Sequence, residues 1–159
     1  MKKTLLLSAV AVGLIAVTAL MSAAPEKSYS PQQVSRGKYL VNDVGACQDC
    51  HTPRNEHGEY IQEQWLSGAP IMFKSTVPIP NWADKAANIA GLPGWTDEQA
   101  IKFLMTGVAY NGLEARPPMP QYRFSRADAA AMVAYLRSLE PSHAVAGEAA
   151  KKAAEKEKK

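Results

Sequence analysis

Cys47-Gln48-Asp49-Cys50-His51 is the stretch on which the reading of the whole chain turns. Two thiols two residues apart can add to the two vinyl groups on one edge of a haem, while the imidazole that follows reaches the iron from below. Two other chemistries use closely spaced cysteines. A redox-active disulfide belongs in a βαβ setting that the flanking sequence lacks. Half of a zinc site needs two more ligands, for which His57 and His143 could supply nitrogens. The motif therefore predicts one haem c, attached through Cys47 and Cys50, with His51 as an iron ligand.

An iron held on one side by His51 raises the question of its other side. Outside the first 24 residues the methionines are Met72, Met105, Met119 and Met132. Met105 and Met132 fall on apolar helical stripes, where methionine serves as flexible core filler. Met119 lies in Arg116-Pro117-Pro118-Met119-Pro120, whose prolines forbid a regular helix and stiffen the backbone, so that a thioether can be held toward a metal. Met119 is the expected second ligand and Met72, in the loop after Gly68-Ala69-Pro70-Ile71, its main competitor. His57 is too near His51 along the chain for an easy approach from the opposite face. His143 sits beyond a helix-ending proline. Both are expected on the surface.

Three helices are predicted around this motif. Ser30, Pro31 and Gln33 supply an N-cap, a first-turn proline and the capping-box position; Val34, Gly37, Val41 and Val44 follow on one face, widened by Tyr39 and Leu40, to about Asn42 or Asp43. Gly37 leaves a bare spot where another helix can approach closely. A second start lies at Thr96 with Gln99, followed by Ile101, Leu104, Met105 and Val108, with Gly107 near its end. A third begins at Ser125 with Asp128 in its first turn, carries Met132, Tyr135, Leu136 and Leu139, and stops at Pro141. No run alternates as a strand should. Between Thr52 and Trp95 there are prolines at 53, 70, 78, 80 and 93, all three tryptophans and no long periodic run. So long a looped segment suits a chain wrapped around a bulky apolar ligand.

Composition bounds the remainder. With 159 residues, 47% hydrophobic and only two cysteines, the chain fits one globular domain with appendages and excludes a disulfide framework or a four-thiolate zinc site. The net charge of +3 belongs to the ends, because residues 25–143 carry 11 basic and 12 acidic side chains. Nothing favours nucleic acid as a partner. After Lys2 and Lys3, the uncharged run Thr4 to Ala24 is a secretory signal or a membrane anchor; as a helix it would span roughly 30 Å. Ser22-Ala23-Ala24 offers a cleavage site followed awkwardly by Pro25, and a cut after Ala19 is a second option. In either case the lysines stay inside and the globular part is exported, to a periplasmic location, soluble or tethered to the inner membrane. The expected organisation is a leader or anchor over 1–24, a linker over 25–30, the domain over 31–141 and a solvated Ala/Lys/Glu-rich tail over 142–159.

With a C-x-x-C-H near its start and a distant methionine, the chain resembles a class I monohaem c-type cytochrome over about residues 31–141. More narrowly, Arg36-Gly37-Lys38-Tyr39-Leu40, His51-Thr52-Pro53-Arg54, Gly94-Trp95-Thr96-Asp97-Glu98-Gln99 and Pro117-Pro118-Met119-Pro120 resemble cytochrome subunits of membrane-bound bacterial dehydrogenases. The resemblance implies an all-α fold, about three main helices plus long loops around one covalently bound haem, with the first and last helices crossing where Gly37 meets Tyr135. Trp65, Trp82 and Trp95 would help wall the haem pocket, and Arg54 is a weaker candidate for the propionates. With both axial positions filled, the iron has no open site and electron transfer remains. The expected role is a carrier rather than an enzyme, exchanging electrons with a dehydrogenase, an oxidase or another cytochrome. Two other readings use the same residues: a haem enzyme or gas sensor with an open or labile distal site, and a subunit serving chiefly as an anchor through its leader and tail.

Overall fold

The computed structural model describes residues 29–139. The leader with its cleavage positions, Pro141, His143 and the tail lie outside the described residues. The first helix, α1 (Pro31–Tyr39), starts where Ser30 Oγ accepts the Gln33 N–H at 3.2 Å, with Pro31 in its first turn. At Leu40 it widens into a π-helical turn, Leu40–Val44, closed by the Gly45 N–H on the Leu40 carbonyl at 2.8 Å. The widening moves the register. Gly37, Leu40 and Val41 are buried as a 3.6-residue period requires, but Val44 has turned out to solvent. Tyr39, expected on the apolar face, is half exposed beneath the Arg36 guanidinium.

After the one-turn helix α2 (Gln48–His51), the chain runs through a long looped segment that is less irregular than its prolines suggest. Arg54 and Tyr60 form a bridge that closes a small hairpin, a 3-10 turn covers Gln62–Gln64, and β1 (Ala69–Pro70) pairs antiparallel with β2 (Lys85–Ala86), Ala69 opposite Ala86. Strands two residues long cannot produce a visible alternation, which is why the sequence showed none.

The third helix, α3 (Asp97–Thr106), opens with a complete capping box. Thr96 Oγ1 accepts the Gln99 N–H at 3.2 Å and Gln99 Oε1 accepts the Thr96 N–H at 2.8 Å. Gly107 ends it in the left-handed region at φ 73°, so Val108, expected on the helical stripe, leaves the helix and bridges to Glu114. The last helix, α4 (Arg126–Ser138), begins at Ser125, whose Oγ accepts the Asp128 N–H at 3.1 Å. It is buried over much of its length, through Ala129, Met132, Val133, Tyr135 and Leu136 among others.

The core forms where α3 and α4 pack with Leu40 and Val41 of the π-helical turn, with Leu66, Ala90 and Leu92 from the looped segment packed into it. At the α1–α4 crossing a Cβ on Gly37 would lie 1.9 Å from the Ala131 carbonyl oxygen and 2.8 Å from Tyr135 Cβ. The expected pairing of Gly37 with Tyr135 is present, and Ala131 shares it. Arg36 also bonds Asp128 across the crossing at 3.0 Å. On the other side of α4, Arg137 donates to Asp97 Oδ1 at 3.0 Å and to the carbonyls of Gly91, Leu92 and Trp95, while the Tyr29 hydroxyl donates to Asp97 Oδ2 at 2.7 Å. Among the described residues no helix is long and apolar enough to cross a membrane.

Candidate haem centre

The turn that delivers Cys47 is built by the π-helical widening before it. Gly45 follows the wide turn, Ala46 takes φ 46°, and the Cys47 N–H reaches the Val41 carbonyl at 3.0 Å. Cys47 then caps α2. The His51 N–H bonds the Cys47 carbonyl at 2.9 Å, so Cys47 and Cys50 stand one helical turn apart on one side. Both are free thiols. Burial pushes the Cys47 thiol up to about 11, with its own backbone bond opposing, and burial followed by the Asp49 charge raises Cys50.

His51 is only 8% exposed. Its Nδ1 lies 2.7 Å from the Ala87 carbonyl, which fixes Nδ1 as the protonated nitrogen and leaves the Nε2 lone pair for a metal. Burial holds the imidazole below its ordinary value, against the opposing pull of the Ala87 bond, so the ring is neutral and fit to ligate. The Ala87 carbonyl is brought close by Gly68. At φ 91°, a Cβ there would lie 2.8 Å from both the Ala86 oxygen and the Asn88 nitrogen, and the Gly68 N–H bonds the His51 carbonyl at 2.7 Å. Thr52 locks the same region, its Oγ1 accepting the Leu66 N–H at 2.9 Å.

Asp49 of the motif forms a surface clasp with Arg54 and Tyr60. The Tyr60 hydroxyl donates to Asp49, Arg54 donates to the Tyr60 oxygen and the Gly58 carbonyl, each at 2.8 Å, and the guanidinium sits 4.0 Å over the Tyr60 ring. Arg54, the weaker candidate for the propionates, thus bonds Gly58 and Tyr60 in the hairpin and pairs with Asp49 at 3.6 Å. His57 is exposed beside Glu56, as expected for a surface histidine. Among the described residues no group of three or more His, Cys, Asp or Glu side chains could hold a metal ion.

Met119 is half-buried in a tight turn closed by its N–H on the Arg116 carbonyl at 3.0 Å, with a cis peptide between Pro117 and Pro118. Met132 is in the core and Met105 packs against it. Met72 is 88% exposed. The loop that carries Met119 returns to the C-x-x-C-H turn three residues later, where the Tyr122 hydroxyl donates to the Gly45 carbonyl at 2.6 Å. Burial, then the neighbouring Cys47 and Cys50, push the Tyr122 hydroxyl up to about 12. Trp65 donates its indole N–H to the Tyr135 oxygen at 3.2 Å and meets Tyr60 edge-on; Trp95 packs on Phe103 and Tyr110; Trp82 bonds the Phe73 carbonyl. Trp65 and Trp95 lie against the core. Ala87, Gly68 and Tyr122 were not singled out from the sequence. A backbone carbonyl carries no residue signature, and a lone tyrosine carries too little.

Two unpaired thiols one helical turn apart, followed by a buried neutral imidazole with one free nitrogen, form a donor set that fits a covalently bound haem. Comparison with known proteins agrees. Residues 34–140 match the family described as Cytochrome c. The chain is 34% identical over 119 residues to the fructose dehydrogenase cytochrome subunit of Gluconobacter japonicus, covering 72% of this chain and 23% of that protein. It is 29% identical over 127 residues to the cytochrome c subunit of the alcohol dehydrogenase (quinone) of Gluconobacter oxydans, covering 75% and 26%. To the gluconate 2-dehydrogenase cytochrome c subunit of Pantoea cypripedii it is 32% identical over 117 residues, covering 67% and 26%. The chain thus spans about a quarter of the length of these relatives. By its motif, its fold and this match over residues 34–140, the chain belongs to the cytochrome c family.

Proposed function

We propose that this chain is a class I electron-transfer cytochrome carrying one haem c, bound through Cys47 and Cys50 and ligated by His51 and Met119, which passes single electrons between redox proteins. The observation that carries the reading is the pairing of His51 Nδ1 with the Ala87 carbonyl beside two free thiols, since it leaves Nε2 as a ready ligand in a buried site. When bound, a haem supplies an iron that cycles between ferric and ferrous states. The chain's residues do the rest. Cys47 and Cys50 fasten the ring, and the Ala87 carbonyl orients the imidazole and raises its basicity as a ligand. Met119 would supply a second, sulfur ligand, which would raise the potential and close the site to substrates.

The partners are redox proteins, a dehydrogenase foremost because the relatives named above are dehydrogenase cytochrome subunits. The leader after Lys2 and Lys3 supports export to the periplasm, with the domain over 31–141 either released or tethered by an uncleaved helix. A spectroelectrochemical titration of the holoprotein tests the function. A single reversible one-electron wave, with the ferrous form unable to bind carbon monoxide near neutral pH, is expected. Ready carbon monoxide binding would instead identify an open distal site, as in an enzyme or gas sensor.

A further inference from the structure

The turn that carries Met119 is fastened at both ends to other parts of the molecule. Upstream, Arg116 donates its Nε–H to the Asn81 carbonyl and its Nη2–H to the Trp82 carbonyl, each at 3.0 Å, and the Ala83 N–H bonds the Pro117 carbonyl at 2.6 Å. Downstream, Tyr122 donates to the Gly45 carbonyl at 2.6 Å, and its ring stacks on Phe124 at 5.0 Å between centroids. Gly45 belongs to the turn that delivers Cys47, so one fastening lies on the looped segment and the other on the haem-attachment turn itself.

We propose that Arg116 and Tyr122 are positioning residues that hold the Met119 turn shut, and so set how readily the methionine side of the haem opens to an external ligand. The inference rests on Met119 being the second axial ligand. Pro117, Pro118 and Pro120 stiffen the turn internally, but stiffness does not decide where a rigid turn sits. Placement needs ties to the rest of the fold. The planar fork of Arg116 on two successive carbonyls fixes both distance and direction at one end. Tyr122, held by its hydroxyl and by stacking, does the same at the other. Because the two fastenings lie on separate segments, losing either side-chain tie loosens one end of the turn while the other stays held. Upstream, with the Arg116 tie gone, only the Ala83–Pro117 backbone bond resists the movement. The net worth of such a bond corresponds to roughly tenfold in an opening equilibrium.

The test is an imidazole titration of the ferric full-length holoprotein, followed by absorption, for the native sequence, Arg116→Gln, Tyr122→Phe and the double variant. Arg126→Gln, which loses only a surface ion pair with Glu98, is the control. Each single variant is expected to bind imidazole roughly tenfold more tightly and the double variant roughly a hundredfold, the two ends acting independently. Arg126→Gln should match the native protein. Before imidazole is added, all should keep the long-wavelength sulfur-to-iron band of a methionine ligand. Unchanged affinity in the single variants, with that band present, overturns the clamp and leaves methionine ligation standing. A native protein without the band, and unaltered by Met119→Ala, overturns the ligand assignment and the clamp with it.

Discussion

Replacing Met119 by alanine removes a thioether from a turn whose backbone is held by Arg116, Pro117 and Tyr122, so the loss should fall on the ligand and not on the fold. Met119→Ala is expected to abolish the sulfur-to-iron band of the ferric protein and to lower the potential, and Met72→Ala to leave both as they were. Loss of the band in Met72→Ala alone would transfer the role to the exposed methionine. The residues proposed for covalent and coordination chemistry stand out in the sequence, because cysteine and histidine at fixed spacing have few other tasks. The residues that orient them do not. Ala87 acts through its carbonyl, which any residue possesses, and Gly68 acts by lacking a side chain where segment 86–88 presses against it. Neither effect leaves a mark in composition or period.

Helix beginnings were legible for a local reason: Ser30, Thr96 and Ser125 each bond an N–H three residues on, and that spacing is visible in one dimension. The π-helical turn at Leu40–Val44 was not, because the 3.6-residue stripe continues through Val44 on paper while the backbone has already widened. The crossing of α1 and α4 offers a contest between two opposing effects. Alanine in place of Gly37 gains about 1 kcal/mol of helix propensity. Its Cβ, however, meets the Ala131 carbonyl oxygen at 1.9 Å, and a backbone atom cannot swing aside as a side chain would. The clash prevails, and Gly37→Ala is expected to destabilise the protein by about 2–3 kcal/mol, measured by denaturant unfolding of the holoprotein. A midpoint that stays or rises would mean that the two helices do not approach closely.

Beyond the helices, the molecule is tied together where the looped segment, α3 and α4 converge on Arg137. Its guanidinium serves Asp97 and the carbonyls of Gly91, Leu92 and Trp95, and Tyr29 joins through Asp97. Arg137→Met keeps the aliphatic stem and removes every bond of the guanidinium, leaving the Tyr29–Asp97 bond in place. The partly buried Asp97 carboxylate is left facing fewer donors, and a loss of about 3 kcal/mol is expected in the same unfolding measurement. A change under about 1 kcal/mol would show the cluster to be an ordinary surface network. Whole-molecule organisation was the least legible level, since so many of these bonds join positions about 40 or more apart in the chain.

The attachment itself is open to direct measurement by intact mass spectrometry of the exported, matured protein under denaturing conditions, beside Cys47→Ser and Cys50→Ser. The polypeptide is expected to carry the added mass of one haem, which survives unfolding, and the double variant to carry none. A native chain at bare polypeptide mass after correct export and maturation, or one bearing more than a single haem, would contradict it.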